Sequence, residues 1–207
     1  MSNATPELQF WFEFASTYSY PAAMRVEDAA RAAGVTLVWR PFLLGPIFVA
    51  QGWNDSPFNV YPVKGAYMWR DLARVCAKHG LPLRRPARFP RNSLLAARVA
   101  LVAAGEGWCG DFTRAVYHAN FAEDREIGDQ AVIADLLAGL GRRPDEVIAR
   151  ALAPDNKERL KHQNEDAVAR GIFGAPSFVT RDELFWGNDR LEDALAWARE
   201  PQSVASV

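Results

Sequence analysis

Two short runs hold most of the reactive chemistry in this chain. The first is Ser16-Thr17-Tyr18-Ser19, set between an aromatic run and a helical pattern. A helix N-terminus presents free N–H groups and partial positive charge, so it favours a nearby anion. A thiolate is one such anion. The run contains no cysteine, so a thiolate here would belong to a bound thiol, with the Ser16 hydroxyl donating a hydrogen bond to its sulfur. Serine forms no disulfide, which excludes dithiol exchange at this position. The alternative is that Ser16 or Ser19 only caps the helix by accepting backbone N–H bonds. The second run is Gly174-Ala175-Pro176, just ahead of an apolar segment. Read alone, its proline is an ordinary trans residue entering an edge strand, since only about 5–6% of X-Pro bonds are cis.

The other reactive side chains are dispersed. Cys76 and Cys109 form no CxxC pair and read as free thiols, buried or half-buried. His79, His118 and His162 lie far apart, and no cluster has zinc-ligand spacing, so no metal site is expected.

The elements that must position these residues follow from the pattern of apolar side chains. Residues 8–14 (LQFWFEF) read as a buried strand. Residues 18–34 read as a helix, with Pro21 in its first turn and Gly34 as its C-cap. Residues 35–42 (VTLVWRPF) form a second strand, which makes a β-α-β unit with parallel strands. Residues 43–62 are rich in Gly, Pro, Asn and aromatics, and read as a long packed loop with at most a helical turn. Amphipathic helices follow over residues 64–79, 92–106, 110–121, 129–140, 144–153 and 156–170, with Asp129 and Asp155 as N-caps. Residues 177–180 and 183–186 form a hairpin about Arg181-Asp182, and residues 190–199 a last helix. The tail after Pro201 reads as loose.

The order β-α-β, helical block, β-β-α is an α/β thioredoxin-like fold carrying a large all-helical insertion. Residues 1–45 and 172–207 would form the thioredoxin-like domain, and residues 46–171 the helical domain with a substrate-facing loop. With 207 residues, 49% hydrophobic and seven Trp, the chain can bury a core and still line a pocket with aromatics. A net charge of −1 argues against a nucleic-acid partner. No apolar run approaches the ~18 residues that span a bilayer, and the N-terminus lacks a secretory pattern. The expectation is a soluble, cytoplasmic protein with no membrane partner.

Several runs, in order along the chain, resemble one family. Phe12-Glu13-Phe14-Ala15-Ser16-Thr17-Tyr18-Ser19-Tyr20 resembles the FDFxSPYSY opening of 2-hydroxychromene-2-carboxylate isomerases and kappa-class glutathione transferases, in the DsbA-like branch of the thioredoxin superfamily. Phe42-Leu43-Leu44-Gly45 resembles their FLLG, and residues 62–72 (PVKGAYMWRDL) resemble PxKGxYMxxDL. Gly174-Ala175-Pro176-Ser177-Phe178 resembles GVPxF, and residues 185–191 (FWGNDRL) resemble FWGxDRL.

The resemblance implies glutathione as cofactor, a small aromatic or electrophilic substrate, and a homodimer. It implies a cis Ala175-Pro176 bond facing the Ser16 loop. Ser16 would activate the glutathione sulfur, Ala175 and Pro176 would meet the cysteinyl part, and Trp186, Gly187, Asn188 and Asp189 would reach the γ-glutamyl end. Lys64 would meet a carboxylate, and Asn54, Trp53 and Tyr67 would face the substrate. Local alternatives stand beside these roles: Asp189 as the N-cap of the last helix, Trp186 as a core strand residue, Lys64 as a solvated charge at a helix start.

Three departures narrow the reading. Thr17 stands where the family has proline, the loop of residues 51–57 is longer, and Ile47-Phe48-Val49 lacks the lysine typical of the isomerases. The expected activity is a glutathione-dependent isomerase of 2-hydroxychromene-2-carboxylate type. The alternatives are a kappa-class-like transferase, or a thioredoxin-fold binding module without catalysis.

Overall fold

The computed structural model describes residues 5–200. The two ends of the chain, including the tail after Pro201, lie outside the described residues. Four strands form one sheet in the order β2-β1-β3-β4, with β1 at Glu7–Phe12, β2 at Thr36–Pro41, β3 at Ser177–Thr180 and β4 at Glu183–Trp186. β1 and β2 are parallel, while β3 runs antiparallel to both β1 and β4. Helix α1 (Ser19–Ala33) joins the parallel pair and ends on Gly34, whose φ of 68° is the left-handed conformation a C-cap glycine adopts without penalty.

β1 reads as a continuous apolar run because both of its faces are buried. Phe10 and Phe12 stack with each other and pack with Phe178 in the main core, with α1 on the same side. Trp11 points the other way and joins Phe42, Ile47, Ile172 and Val179 in a second cluster. The strand's period of two divides its aromatics between the two clusters.

Helices α2–α9 lie between β2 and β3 in the chain. The stretch of residues 43–62 is not a loop. It contains two short helices, α2 (Leu44–Ala50) and α3 (Pro57–Val60). Local propensity is poor there, with Gly45, Pro46 and β-branched residues, so packing supplies the stability. Ile47 is the one buried residue of α2 and anchors it to Trp11 and Phe42. In α3, Pro57 starts the helix and Ser56 caps it by accepting from the Phe58 N–H at 3.3 Å. Helix α4 (Pro62–Lys78) follows at once. It packs so tightly on α3 that a Cβ at Gly65 would sit 2.1 Å from the Phe58 carbonyl oxygen.

The remaining helices are α5 (Leu94–Glu106), α6 (Cys109–Phe121), α7 (Gln130–Gly139), α8 (Pro144–Leu152) and α9 (Pro154–Ala169). Asp129 caps α7 as expected, accepting from Ala131 N–H. Asp155 does not cap α9, because Pro154 begins that helix one residue earlier. A three-residue 3₁₀ turn, Asn188–Arg190, then leads into α10 (Leu191–Arg199). Both cysteines are free and buried.

Candidate active site

One cavity of about 1300 Å³ opens where the C-terminal end of β1, the start of α1, the segment before β3 and the helices α2–α4 converge. This exceeds the roughly 300–1,000 Å³ typical of a single small-molecule site, so there is room for more than one small molecule. Every residue singled out from the sequence as a site candidate lines it. Ser16, Ala175 and Pro176 form one wall, and Trp186, Gly187, Asn188 and Asp189 extend that wall. Trp53, Asn54, Lys64 and Tyr67 line it from the α2–α4 segment, as the other wall.

The first wall is held by long-range hydrogen bonds. The Ser16 hydroxyl donates to the Ala175 carbonyl at 2.8 Å, across 159 residues of sequence. It does not cap α1: the N-cap position is Tyr18, which has no side-chain cap bond, so the capping alternative falls away. The Ala175–Pro176 bond is cis. The Ala175 N–H donates to none of the described residues, which leaves it open to the cavity beside the carbonyl. β3 lies between β1 and β4, so Pro176 precedes a central strand rather than an edge strand.

Trp186 is 53% exposed, which rules out a core role. It packs edge-on against Phe173, with ring centroids 4.8 Å apart, at the cavity rim. Its indole lies over Gly174, where a Cβ would meet Nε1 at 2.4 Å. Gly187 has φ 121°, and a Cβ there would come within 2.5 Å of the Asp189 carboxylate. Glycine at 187 therefore lets Asp189 fold back over the turn. Asp189 lies within the 3₁₀ turn and does not cap α10; its carboxylate stays exposed, with Arg190 at 3.4 Å. This turn is fixed from α1: Arg25 donates to both the carbonyl and the side-chain oxygen of Asn188 at 3.2 Å and pairs with Glu192 at 2.6 Å.

The other wall is mostly aromatic. Phe48 packs on Trp53 at 5.6 Å, and Tyr67 is 61% exposed at the mouth. The Lys64 ammonium sits 5.8 Å from the Phe58 ring centre and has no acidic partner among the described residues. The other cations on the cavity wall are paired, Arg91 with Asp124 and Arg190 with Asp193. Asn59 moors α3 by donating to Asp55 and to the Phe89 carbonyl. Tyr18 ties the start of α1 to α4 by donating to Asp71 at 2.8 Å. Burial raises the Tyr18 phenol well above its ordinary pKa, and the bond to Asp71 adds to this, so Tyr18 is a neutral anchor.

Sequence reading missed Glu13. It follows β1 directly, is 5% exposed, and lines the cavity. Its carboxylate accepts from the Ala15 N–H at 2.9 Å and from the Ser93 hydroxyl. Burial pushes its pKa up to about 7, against the opposing pull of those bonds and of the Ser16 N–H. One signal was available, an acid inside the apolar run Phe12-Glu13-Phe14. Arg25 and Asp71 were missed as well, and for them nothing in the sequence distinguishes a clamp from a solvated helix charge.

A four-stranded sheet whose central strand follows a cis-proline, facing the N-terminus of the first helix, defines a thioredoxin-like protein. Residues 7–196 match the family described as DSBA-like thioredoxin domain. The chain is 33% identical to 2-hydroxychromene-2-carboxylate isomerase of Sphingobium xenophagum, covering 91% of this chain and 95% of that one. It is 22% identical to glutathione S-transferase kappa 2 of Caenorhabditis elegans, over 94% and 92% of the two chains. A solved structure of 2-hydroxychromene-2-carboxylate isomerase superposes with a TM-score of 0.82 at 28% identity, covering 92% and 95%. The chain thus belongs to the DsbA-like thioredoxin family, in the group that contains these isomerases and the kappa-class transferase, and it is an enzyme. No helix among the described residues is long and apolar enough to cross a membrane.

Proposed function

We propose that the protein is a glutathione-dependent isomerase of the 2-hydroxychromene-2-carboxylate type. The observation that carries the reading is the Ser16–Ala175 contact. It sets a hydroxyl donor, an open backbone N–H and the Asp189 turn along one wall of a cavity with room for a second molecule. The donor set fits glutathione. Ala175 offers its N–H and carbonyl to the cysteinyl amide, Asp189 its carboxylate to the γ-glutamyl ammonium, and Ser16 its hydroxyl to sulfur. When bound, glutathione supplies the nucleophilic sulfur. Ser16 and the N-terminus of α1 stabilise negative charge on that sulfur. Lys64 holds the acceptor's carboxylate, and Phe48, Trp53 and Tyr67 pack against its ring and exclude water.

The supporting experiment has two parts. Titration calorimetry should show glutathione binding, and conversion of 2-hydroxychromene-2-carboxylate, followed in the ultraviolet, should depend on added glutathione. Absence of binding at millimolar glutathione would favour a thioredoxin-fold binding module instead. A second reading, conjugation of glutathione to an electrophile, is favoured by the apolar Phe48 and Val49 on the cavity wall where the isomerases carry a lysine. Recovery of a stable thioether product would select it.

A further inference from the structure

The functional reading leaves one buried acid without a task. Glu13 sits directly beneath the Ser16 loop. Its carboxyl faces the Ala15 and Ser16 N–H groups, and its own carbonyl accepts from Ser16 N–H at 2.9 Å and from the Tyr117 hydroxyl at 2.8 Å. Ser93, at the start of α5, bonds the carboxyl, and Tyr117, from α6, bonds the main-chain carbonyl while lying close enough for its phenol to feel the carboxylate's charge. Tyr117 stays neutral because burial raises its phenol far above the usual value. Arg91, which also lines the cavity, is engaged with Asn120 and Asp124 and not with Glu13. Glu13 forms no ion pair with any described residue. A buried acid with no cation beside it is destabilising when ionised, and such groups concentrate where protons are handled.

No other group on the cavity wall suits that task. The Ser16 hydroxyl is already a donor to Ala175. Asp71 is held by Tyr18 and Arg74, Asp55 by Ser56 and Asn59, and Asp189 by Arg190. No histidine lines the cavity. We propose that Glu13 is the proton acceptor for the thiol that docks beside Ser16; the proposal rests on the glutathione reading. Glu13 takes the proton from the S–H bond, whose electron pair stays on sulfur. It does so directly, or through Ser93, which receives that proton and passes its own to Glu13. The Glu13–Ser93 bond survives both states, because the serine hydroxyl can reverse from donor to acceptor. In an isomerisation Glu13 returns the proton when the thiol leaves; in a conjugation it releases the proton to solvent. The N-terminus of α1 lowers the pKa of a thiol placed there, toward the value of about 7 that burial gives Glu13, and so narrows the gap for transfer.

The test is a carboxyl ¹³C NMR titration of the full chain labelled at glutamate. Free wild type should show one glutamate titrating near 7 that is missing from Glu13→Gln. Adding glutathione at mildly alkaline pH should move that resonance toward its protonated position. S-methylglutathione, which has no thiol proton, should not move it. Glutathione that binds by calorimetry without moving the resonance overturns the proposal alone; glutathione that does not bind at all overturns the functional reading and the proposal with it. In turnover of 2-hydroxychromene-2-carboxylate at neutral pH, Glu13→Gln should lose about 100-fold. It should also lose the inflection of the pH profile near 7. Should Glu13→Gln fail to fold, Ser93→Ala serves. It removes a bond that holds the carboxyl's pKa down, so the inflection should move to higher pH. A profile that neither variant alters also overturns the proposal.

Discussion

The two walls of the cavity are built by different means. The wall around Ser16 stands on a sheet strand whose aromatics are fully buried, and it is fastened by bonds between residues far apart in sequence: Ser16 to Ala175, Arg25 to Asn188, Tyr117 to Glu13. The wall around Lys64 stands on α2, α3 and the first turn of α4, where Ile47 is buried, Leu44, Phe48 and Phe58 are half-buried, and Val49, Val60 and Val63 are exposed. Its fastenings are Ile47 in the second core cluster, Asn59 on Phe89, the close packing of α3 on Gly65, and Tyr18 on Asp71. A rigid wall suits an invariant ligand such as a tripeptide. On the proposed reading, the more exposed wall of short helices meets the acceptor.

The comparison can be broken most decisively at Glu13. Its folded-state pKa of about 7 lies above its ordinary 4.5. The folded state therefore holds the extra proton, and the stability this gives is fully present below 4.5 and lost as pH rises to about 7. Across that window, wild type should lose about 3 kcal/mol of unfolding free energy relative to Glu13→Gln, read by urea denaturation at each pH. An equal slope in both proteins would show that the Ser16 wall carries no titration. Next in size, Ser16→Ala should lower kcat/KM for glutathione about 100-fold, on the order of 2.7 kcal/mol, while leaving acceptor binding unchanged. Gly65→Ala tests the other wall. Its new Cβ collides with the Phe58 carbonyl and should destabilise the chain by about 1–3 kcal/mol. It should also raise the acceptor KM without altering glutathione affinity; a matched loss of both would mean that the walls are not separable. The smallest effect is expected at Lys64. Lys64→Met should raise KM for a carboxylated acceptor about fivefold, on the order of 1 kcal/mol, and leave an uncharged electrophile unaffected.

How far the sequence was readable follows the same division. The strands were legible because short apolar, aromatic-rich runs and turn residues mark them locally, and the cis-proline and the residues of the Ser16 wall because family-like runs mark them. The hairpin about Arg181-Asp182 and the Gly34 cap were visible for the same reason. The helices α2 and α3 were not, because Gly45, Pro46 and Pro57 read as breakers and only the burial of Ile47 and the Ser56 cap stabilise them. The Asp189 turn was legible as a motif, but its clamp was not. Arg25 differs from any other helix-surface arginine only in what the fold places opposite it. Glu13 was the reverse case: an acid in an apolar strand run was visible, and its meaning depended on Ser93, 80 residues away.

The contact between Ser16 and Ala175 has a last consequence, for selectivity among thiols. A hydroxyl has one proton, and that of Ser16 goes to the Ala175 carbonyl. Turning it toward an incoming sulfur strips that carbonyl of its donor. A thiol carried on a peptide repairs the loss with its own amide N–H. A bare thiol such as 2-mercaptoethanol brings no replacement and leaves the half-buried oxygen without its donor, a cost of roughly 0.5–1.5 kcal/mol. On the proposed reading, the Ser16–Ala175 bond thus favours a thiol that carries a peptide N–H over one that does not, with no steric gate needed.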